Sequence, residues 1–306
     1  MRPGTVVGNY VLDEMIGRGG SGTIWRGRHQ HLGTETAVKL LHTGLAHDQE
    51  ARRRFLYEAK AAQRAAHEYV VKVLDYGITE QSECYLVMEL LTGESLAERL
   101  RRGPLDELTA IEIGISVADA LSVAHVRGVL HRDLKPGNLF LTNDKVKILD
   151  FGLAKLAQAS QGTPAGNVVG TLRYIAPELC RGTQESSPQS DLYSLGVVLF
   201  EMVAGRPPFI AKEAAMLVTA HLFEAPPRPS TLTHILPAFE QLILDCLKKD
   251  PAARPPSMAA LRQRLSTLHD EVRDPPGALR RRRRKRILLV AAATVLATVL
   301  MTTILW

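Results

Sequence analysis

Asp133, Lys135 and Asn138 stand in one short stretch, Val129 to Leu141, in the order His-Arg-Asp-Leu-Lys-Pro-Gly-Asn. An acid, a cation two places on and an amide five places on offer three separate chemical services. A carboxylate takes a hydroxyl proton, an ammonium neutralises charge on a group in transfer, and an amide oxygen ligates a hard cation such as magnesium. Together they meet the needs of phosphoryl transfer, where a protein contributes positioning and electrostatic stabilisation. Singly, Asp, Lys and Asn in a loop are ordinary turn residues. Their fixed order between two apolar flanks is far more restrictive. Those flanks are expected to be short strand-like anchors that hold the polar loop still.

The elements that must position this loop lie on both sides of it. Residues 11–41 alternate with period two in the runs VLDEMI, TIWRGRH and TETAVKLL, which predicts three strands joined by turns. Between the first two lies IGRGGSGTI, with Gly17, Gly19 and Gly22 spaced G-x-G-x-x-G. A dinucleotide site would need a helix directly after these glycines. Here a strand with Ile24 and Trp25 follows, so the glycines belong to a hairpin. A hairpin tip without side chains brings backbone N–H groups close to phosphates. Lys39, in T-A-V-K-L, either snorkels from a strand edge or answers a carboxylate on the next helix. Residues 48–66 predict that helix, with Phe55, Ala59 and Ala62 on one face and Glu58 at its border. Glu50 is the lesser candidate, in the first turn, where the helix dipole favours a carboxylate. Two more strands are expected at 69–78 and 84–90, followed by the polar break L-T-G-E-S-L.

From Ser95 the sequence reads as helical, in 95–102 and 107–128, and Gly128 is a stop signal. Asp150-Phe151-Gly152 comes twelve residues after Asn138, at the end of an apolar strand. Two oxygen donors, Asn138 and Asp150, suit hard magnesium ions. Residues 153–175 have little periodicity and end at Ala176-Pro177-Glu178; so long a loop in a compact domain is usually functional. Residues 190–205 are apolar all round except for Asp191 and Glu201, too short and too acidic for a membrane span, and predict a buried helix. Helices near 213–223, 237–248 and 257–270 complete this half.

Over about residues 10–268 these motifs resemble the eukaryotic-like (Hanks-type) serine/threonine protein kinases of the bacterial membrane type, with Lys135 marking the serine/threonine branch. The resemblance implies an α+β fold of two lobes. A five-stranded antiparallel N-lobe with one helix would cover about 10–88, and a mostly helical C-lobe about 92–268. It implies ATP contacts from Ile16, Gly17, Gly19, Gly22, Ile24, Ala37, Lys39, Glu58, Glu89 and Leu91. Among these, Lys39 would touch the α- and β-phosphates and pair with Glu58, and the backbone of Glu89 and Leu91 would bind adenine. Met88 would guard the deeper pocket. Asp133 and Lys135 would be catalytic, and Asn138 and Asp150 would hold Mg2+, or Mn2+. His131 would pack the loop, Asp191 brace its backbone, and Arg254 pair with Glu178. Arg132 would receive a phosphorylated loop residue, Thr163 first and Ser160 second, with Thr171 lining the substrate site.

Composition narrows the alternatives. Of the net charge of +6, the seven basic residues from Arg280 to Arg286 contribute +7, so the rest of the chain sums to −1. A near-neutral body argues against nucleic acid as a partner. Cys84, Cys180 and Cys246 are three and far apart, which fits neither a disulfide framework nor a metal cluster and suits a reducing compartment. The N-terminus lacks the apolar run of a signal peptide.

After the basic segment 269–286 comes an uncharged 20-residue run, 287–306, roughly 30 Å long as a helix and predicted to span a membrane. The arginines would set the cytoplasmic side, placing the kinase domain in the cytoplasm of a single-pass cell-membrane protein, and would meet anionic lipids. Nuclear targeting is their rival reading. Ala293 and Ala297 have the spacing for helix pairing, hence a homodimer. Many bacterial membrane kinases continue into an extracellular sensor where this chain ends at Trp306, which leaves truncation and a tail anchor as alternatives. The expected activity is transfer of the ATP γ-phosphate to protein Ser/Thr hydroxyls, with autophosphorylation of the loop. The rivals are a silent pseudokinase scaffold at the membrane and a small-molecule phosphotransferase, the latter disfavoured by the Ala176-Pro177-Glu178 platform.

Overall fold

The period-two runs of the N-terminal third fold into one sheet. The computed structural model describes residues 1–19, 22–41, 49–79, 83–143, 145–151, 172–182 and 185–273, with backbone alone at 49–52, 54, 56 and 58. Strands β1 (Val6–Val7), β2 (Tyr10–Arg18), β3 (Gly22–His29), β4 (Glu35–Leu41), β5 (Val73–Ile78) and β6 (Cys84–Glu89) make a six-stranded antiparallel sheet, ordered β1-β2-β3-β4-β6-β5. The expected count is five. The sixth is β1, two residues that pair Val6 with Val11 and Val7 with Tyr10. A two-residue strand is too short to show a period.

Alternation along the strands sorts side chains to two faces. Val38, Leu40, Tyr85 and Val87 join Leu12 and Trp25 in one apolar cluster. Ala37, Leu41, Leu86 and Met88 join Phe55 and Ala59 in another. Lys39 falls between Val38 and Leu40 and therefore shares the second face. Helix α1 (Gln49–Arg64) covers that face. Burying an aromatic such as Phe55 there contributes roughly 1.5–3 kcal/mol.

Beyond the sheet the chain is mostly helical, with α2 (Leu96–Leu100), α3 (Glu107–Val126), α4 (Pro177–Cys180), α5 (Pro188–Ala204), α6 (Ala214–Phe223), α7 (Pro237–Cys246) and α8 (Met258–Arg273). Local chemistry sets their ends. Ser95 and Glu98 form a capping box on α2, and the Asp106 carboxylate accepts the Thr109 N–H of α3 at 2.9 Å. Proline occupies the first turn of α5 and α7, where the missing N–H costs nothing. Gly205 ends α5 with φ 72°, a left-handed conformation that strains a residue bearing Cβ. The all-round apolar α5 lies in the core against α3 and α7, and α8 packs along α3.

Strands β7 (Glu94–Ser95), β8 (Leu139–Leu141) and β9 (Val146–Ile148) form a second, three-stranded sheet. Two expectations need correction here. The upstream flank of the polar loop is not strand; buried Val129 and Leu134 anchor it instead. The strand expected at 69–78 starts only at Val73, because residues 69–71 lie along the edge of β9. Ile148 donates its N–H to the Tyr69 carbonyl at 2.7 Å and accepts the Val71 N–H at 3.0 Å.

Candidate active site

Pairing of β8 with β9 closes the twelve-residue gap between Asn138 and Asp150. Leu139 faces Ile148, and the ladder continues with the Leu149 N–H donating to the Asn138 carbonyl at 2.8 Å. Asn138 therefore lies beside the strand end that carries Asp150. Within the loop the three polar residues converge. Lys135 Nζ is 2.8 Å from Asp133 Oδ2, and Asn138 Nδ2 donates to the Asp133 carbonyl at 2.8 Å and to Oδ2 at 3.0 Å. With its nitrogen directed to Asp133, the amide of Asn138 keeps its oxygen for another partner, which suits a hard cation.

The loop backbone is held from below. Asp191, on α5, accepts the N–H groups of His131 and Arg132, both at 2.9 Å, and meets His125 Nε2 at 2.8 Å. Burial opposes charge on Asp191, but the His125 hydrogen bond and charge outweigh it and hold the carboxyl below its ordinary range. His131 is fully buried, its ring 5.0 Å from that of Phe151. Its Nδ1 accepts the Asp133 N–H at 3.3 Å, so Nε2 carries the proton donated to the Leu149 carbonyl at 3.0 Å. Desolvation lowers its pKa, which fixes the ring as a neutral spacer. Arg132 sits at φ 66° and Asp150 at φ 46°, left-handed backbone unusual outside glycine. Both lie beside the Asp133–Lys135–Asn138 loop, and Asp191 holds the Arg132 backbone through its N–H. Arg132 Nε is buried without a hydrogen-bond partner among the described residues.

Lys39 reaches the same place from the other lobe. Its side chain is 6% exposed, and Nζ lies 2.8 Å from Asp150 Oδ1, whose side chain is 38% exposed. The expected partner, Glu58, lies on α1, but its side chain is outside the described residues. Above Lys39, Gly22 pairs with Leu41 in the sheet, and a Cβ on Gly22 would come 1.9 Å from the Leu40 carbonyl oxygen. At Gly19 a Cβ would meet nothing within 4 Å. The two glycines thus have different reasons: Gly22 is imposed by the sheet, whereas at Gly19 no described residue stands in the way of a Cβ. Gly17 lies against Ile24, and Ile16 is 45% exposed.

An apolar patch of packed side chains lies on the same face of the sheet. Ile24, Leu91 and Leu149 pack against Ala37, Leu86 and Met88, a composition that suits a purine. Glu89 donates its N–H to the Lys72 carbonyl at 3.0 Å, so the adenine contact expected of its backbone falls to the carbonyl. Its carboxylate accepts from Lys147 Nζ at 2.7 Å and from the Lys72 N–H at 2.8 Å.

Below the cleft, Arg254 holds Glu178 through two parallel bonds of 2.8 Å, with side chains 0% and 3% exposed. Ser190 Oγ adds a third bond to that carboxylate at 2.9 Å. Burial raises the Glu178 pKa, but the Arg254 bonds and charge outweigh it and leave the carboxyl below the ordinary value. Tyr174 donates its hydroxyl to Glu201 Oε2 at 2.6 Å, which ties the segment before Glu178 to α5.

Thus Asp133, Lys135 and Asn138 share one loop, Lys39 meets Asp150, and Asp191 and Arg254 sit on the partners expected of them. Gly152, Ser160, Thr163, Thr171 and the run 287–306 lie outside the described residues. His125 and Lys147 were not singled out by spacing. A histidine in the last helical turn before the loop is the one signal for His125; Lys147 gives none, because its partner is 58 residues away.

The protein kinase domain family matches residues 10–265. Serine/threonine-protein kinase pkn3 of Myxococcus xanthus is 39% identical over 282 residues, covering 88% of this chain and 51% of that protein. PknA of Mycobacterium tuberculosis is 40% identical over 257 residues, covering 82% of this chain and 59% of PknA. The chain therefore spans about half the length of the curated relatives it matches. The crystal structure of the Mycobacterium tuberculosis PknI kinase domain superposes with a TM-score of 0.69 at 26% identity, covering 87% of this chain and 98% of that one.

Proposed function

The chain belongs to the protein kinase domain family, and from that premise we propose that it transfers the γ-phosphate of ATP to serine or threonine hydroxyls of proteins. The observation that carries this reading is the meeting of Lys135 Nζ and Asn138 Nδ2 on Asp133 Oδ2, at 2.8 and 3.0 Å. Asp133 orients the substrate hydroxyl and takes its proton, and Lys135 neutralises charge gathering on the phosphoryl oxygens. Magnesium, the family's usual metal, would be held by Asn138 and Asp150 and would supply positive charge to the phosphoryl group in transfer. Lys39 is ready to exchange its Asp150 contact for the α- and β-phosphates. The Ile24, Ala37, Met88 and Leu91 patch takes the adenine. The relatives named as serine/threonine kinases, together with Lys135, support the serine/threonine branch.

The direct test is radiolabelled phosphate transfer to a generic protein substrate by wild type and Asp133→Asn. No transfer by wild type ends the enzyme reading in favour of a pseudokinase scaffold, and equal transfer by both removes Asp133 from the mechanism. The finer parts of the proposal have their own tests. Phosphorylation of Thr163 or Ser160 would place a dianion near Arg132, whose Nε supports the idea of a waiting donor. Mass spectrometry after ATP incubation decides it, and full autophosphorylation with 160–171 unmodified refutes it. The uncharged run 287–306 after seven basic residues supports a single-pass anchor with the kinase domain in the cytoplasm, meeting anionic lipids. Recovery of the chain in the soluble fraction of cells removes that part. Pairing of two copies through Ala293 and Ala297 is tested by crosslinking in membranes, and a purely monomeric pattern ends it.

A further inference from the structure

The last turn of α3 serves two elements at once. His125 Nε2 meets Asp191, the carboxylate that holds the loop backbone at His131 and Arg132. Two residues on, Arg127 Nη1 donates to the carbonyls of Arg64 and Ala66, both at 3.0 Å, at the C-terminal end of α1. The last carbonyls of a helix have no partner within it, and a guanidinium there also meets the negative end of the helix dipole. The chain just beyond α1 is fixed as well, through the Tyr69 and Val71 bonds to Ile148. One end of α1 is thereby pinned to the helical lobe, while Phe55 and Ala59 earlier in the helix pack on the sheet.

We propose that Arg127 is a positioning residue for phosphoryl transfer, which caps α1 and so sets how that helix, whose sequence includes Glu58, packs through Phe55 and Ala59 on the sheet face shared by Lys39. The proposal rests on the kinase reading above. Arg127 is exposed, so its removal takes little from the apolar core. Its two bonds leave from one nitrogen, so a lysine ammonium can replace both.

The test compares kcat at saturating ATP for wild type, Arg127→Ala, Arg127→Lys, Glu58→Gln and the Arg127→Ala/Glu58→Gln double variant, with amide hydrogen exchange over residues 61–66. Arg127→Ala is expected to lower kcat by about twofold to fivefold, the range of a single helix-end cation, with an unchanged thermal midpoint. Arg127→Lys restores most of it. In the Glu58→Gln background the same change is expected to have no further effect, because two groups acting through one contact are not additive. Unaltered kcat in Arg127→Ala, or an undiminished loss on top of Glu58→Gln, overturns the proposal. A wild type without transfer refutes the kinase reading alone, and exchange still decides the cap. Faster exchange at 61–66 in Arg127→Ala sustains it, and identical exchange removes it.

Discussion

Two ion pairs in this molecule have the same length and opposite characters. Lys39–Asp150 and Glu178–Arg254 both measure 2.8 Å. In the second, both side chains are buried and the arginine fork is saturated, with further bonds to the carbonyls of Gln189, Lys248 and Lys249. In the first, the lysine is buried, the carboxylate is 38% exposed, and Asp150 stands on left-handed backbone at φ 46°. Separation does not tell these pairs apart; exposure and backbone strain do. A closed network fixes a platform, since opening it strands a buried charge. A pair whose carboxylate is partly exposed leaves room for an exchange of partners, which the proposed function requires of Lys39. The Asp133–Lys135–Asn138 cluster stands between these two kinds, with the Asp133 side chain 9% and that of Lys135 21% exposed.

The contrast breaks first at Asp133. Asp133→Asn is expected to lower phosphoryl transfer by about 10²–10⁴-fold, the usual contribution of a general base, while the thermal midpoint stays within a few degrees. A large loss of stability would move this loop into the structural class. Removing one partner of the buried pair should do the reverse. Arg254→Met is expected to destabilise by about 3–5 kcal/mol in denaturant unfolding, because it leaves Glu178 buried and uncompensated. A variant as stable as wild type would mean that the platform does not depend on this network.

Gly22→Ala and Gly19→Ala sharpen the comparison within a single hairpin. The first drives a Cβ into the Leu40 carbonyl and should cost about 1–3 kcal/mol in stability. The second should fold normally and raise the KM for ATP, since its Cβ meets nothing within 4 Å among the described residues. Equal stability of the two variants would contradict the assignment of Gly22 to the sheet.

Acid gives the smallest and most specific effect. The Glu178 carboxyl is held below its ordinary value of 4.5, so its contribution to stability is complete above the unfolded pKa and is lost as pH falls through the folded value. The dependence of unfolding free energy on pH below 4.5 should therefore be shallower in Glu178→Gln than in wild type. Parallel curves would show that the pair does not shift this carboxyl.

The chemistry was legible because it is local. Asp133, Lys135 and Asn138 are fixed by short spacing, and the buried helix at 190–205 follows from its all-round apolar run. Less legible was whatever joins distant parts of the chain. Lys39 finds Asp150 across 111 residues, and Lys147 finds Glu89 across 58. No periodicity reports such a meeting. Gly22 looked like part of a phosphate loop, yet the backbone of the neighbouring strand is what excludes its side chain. The edge strand β1 was too short to announce itself, and the first residues of the strand expected at 69–78 were drawn off by β9.

By itself the amino-acid order determined which groups exist, which segments are strand or helix, and which residues share a loop. These depend on spacing along the chain, and spacing is written in the sequence. Only the folded chain decided which charges are closed off and which face the cleft, and that α3 holds both the loop brace and the end of α1. Burial and through-space distance arise when remote segments pack, and packing sets both the desolvation of a charge and the partners within its reach.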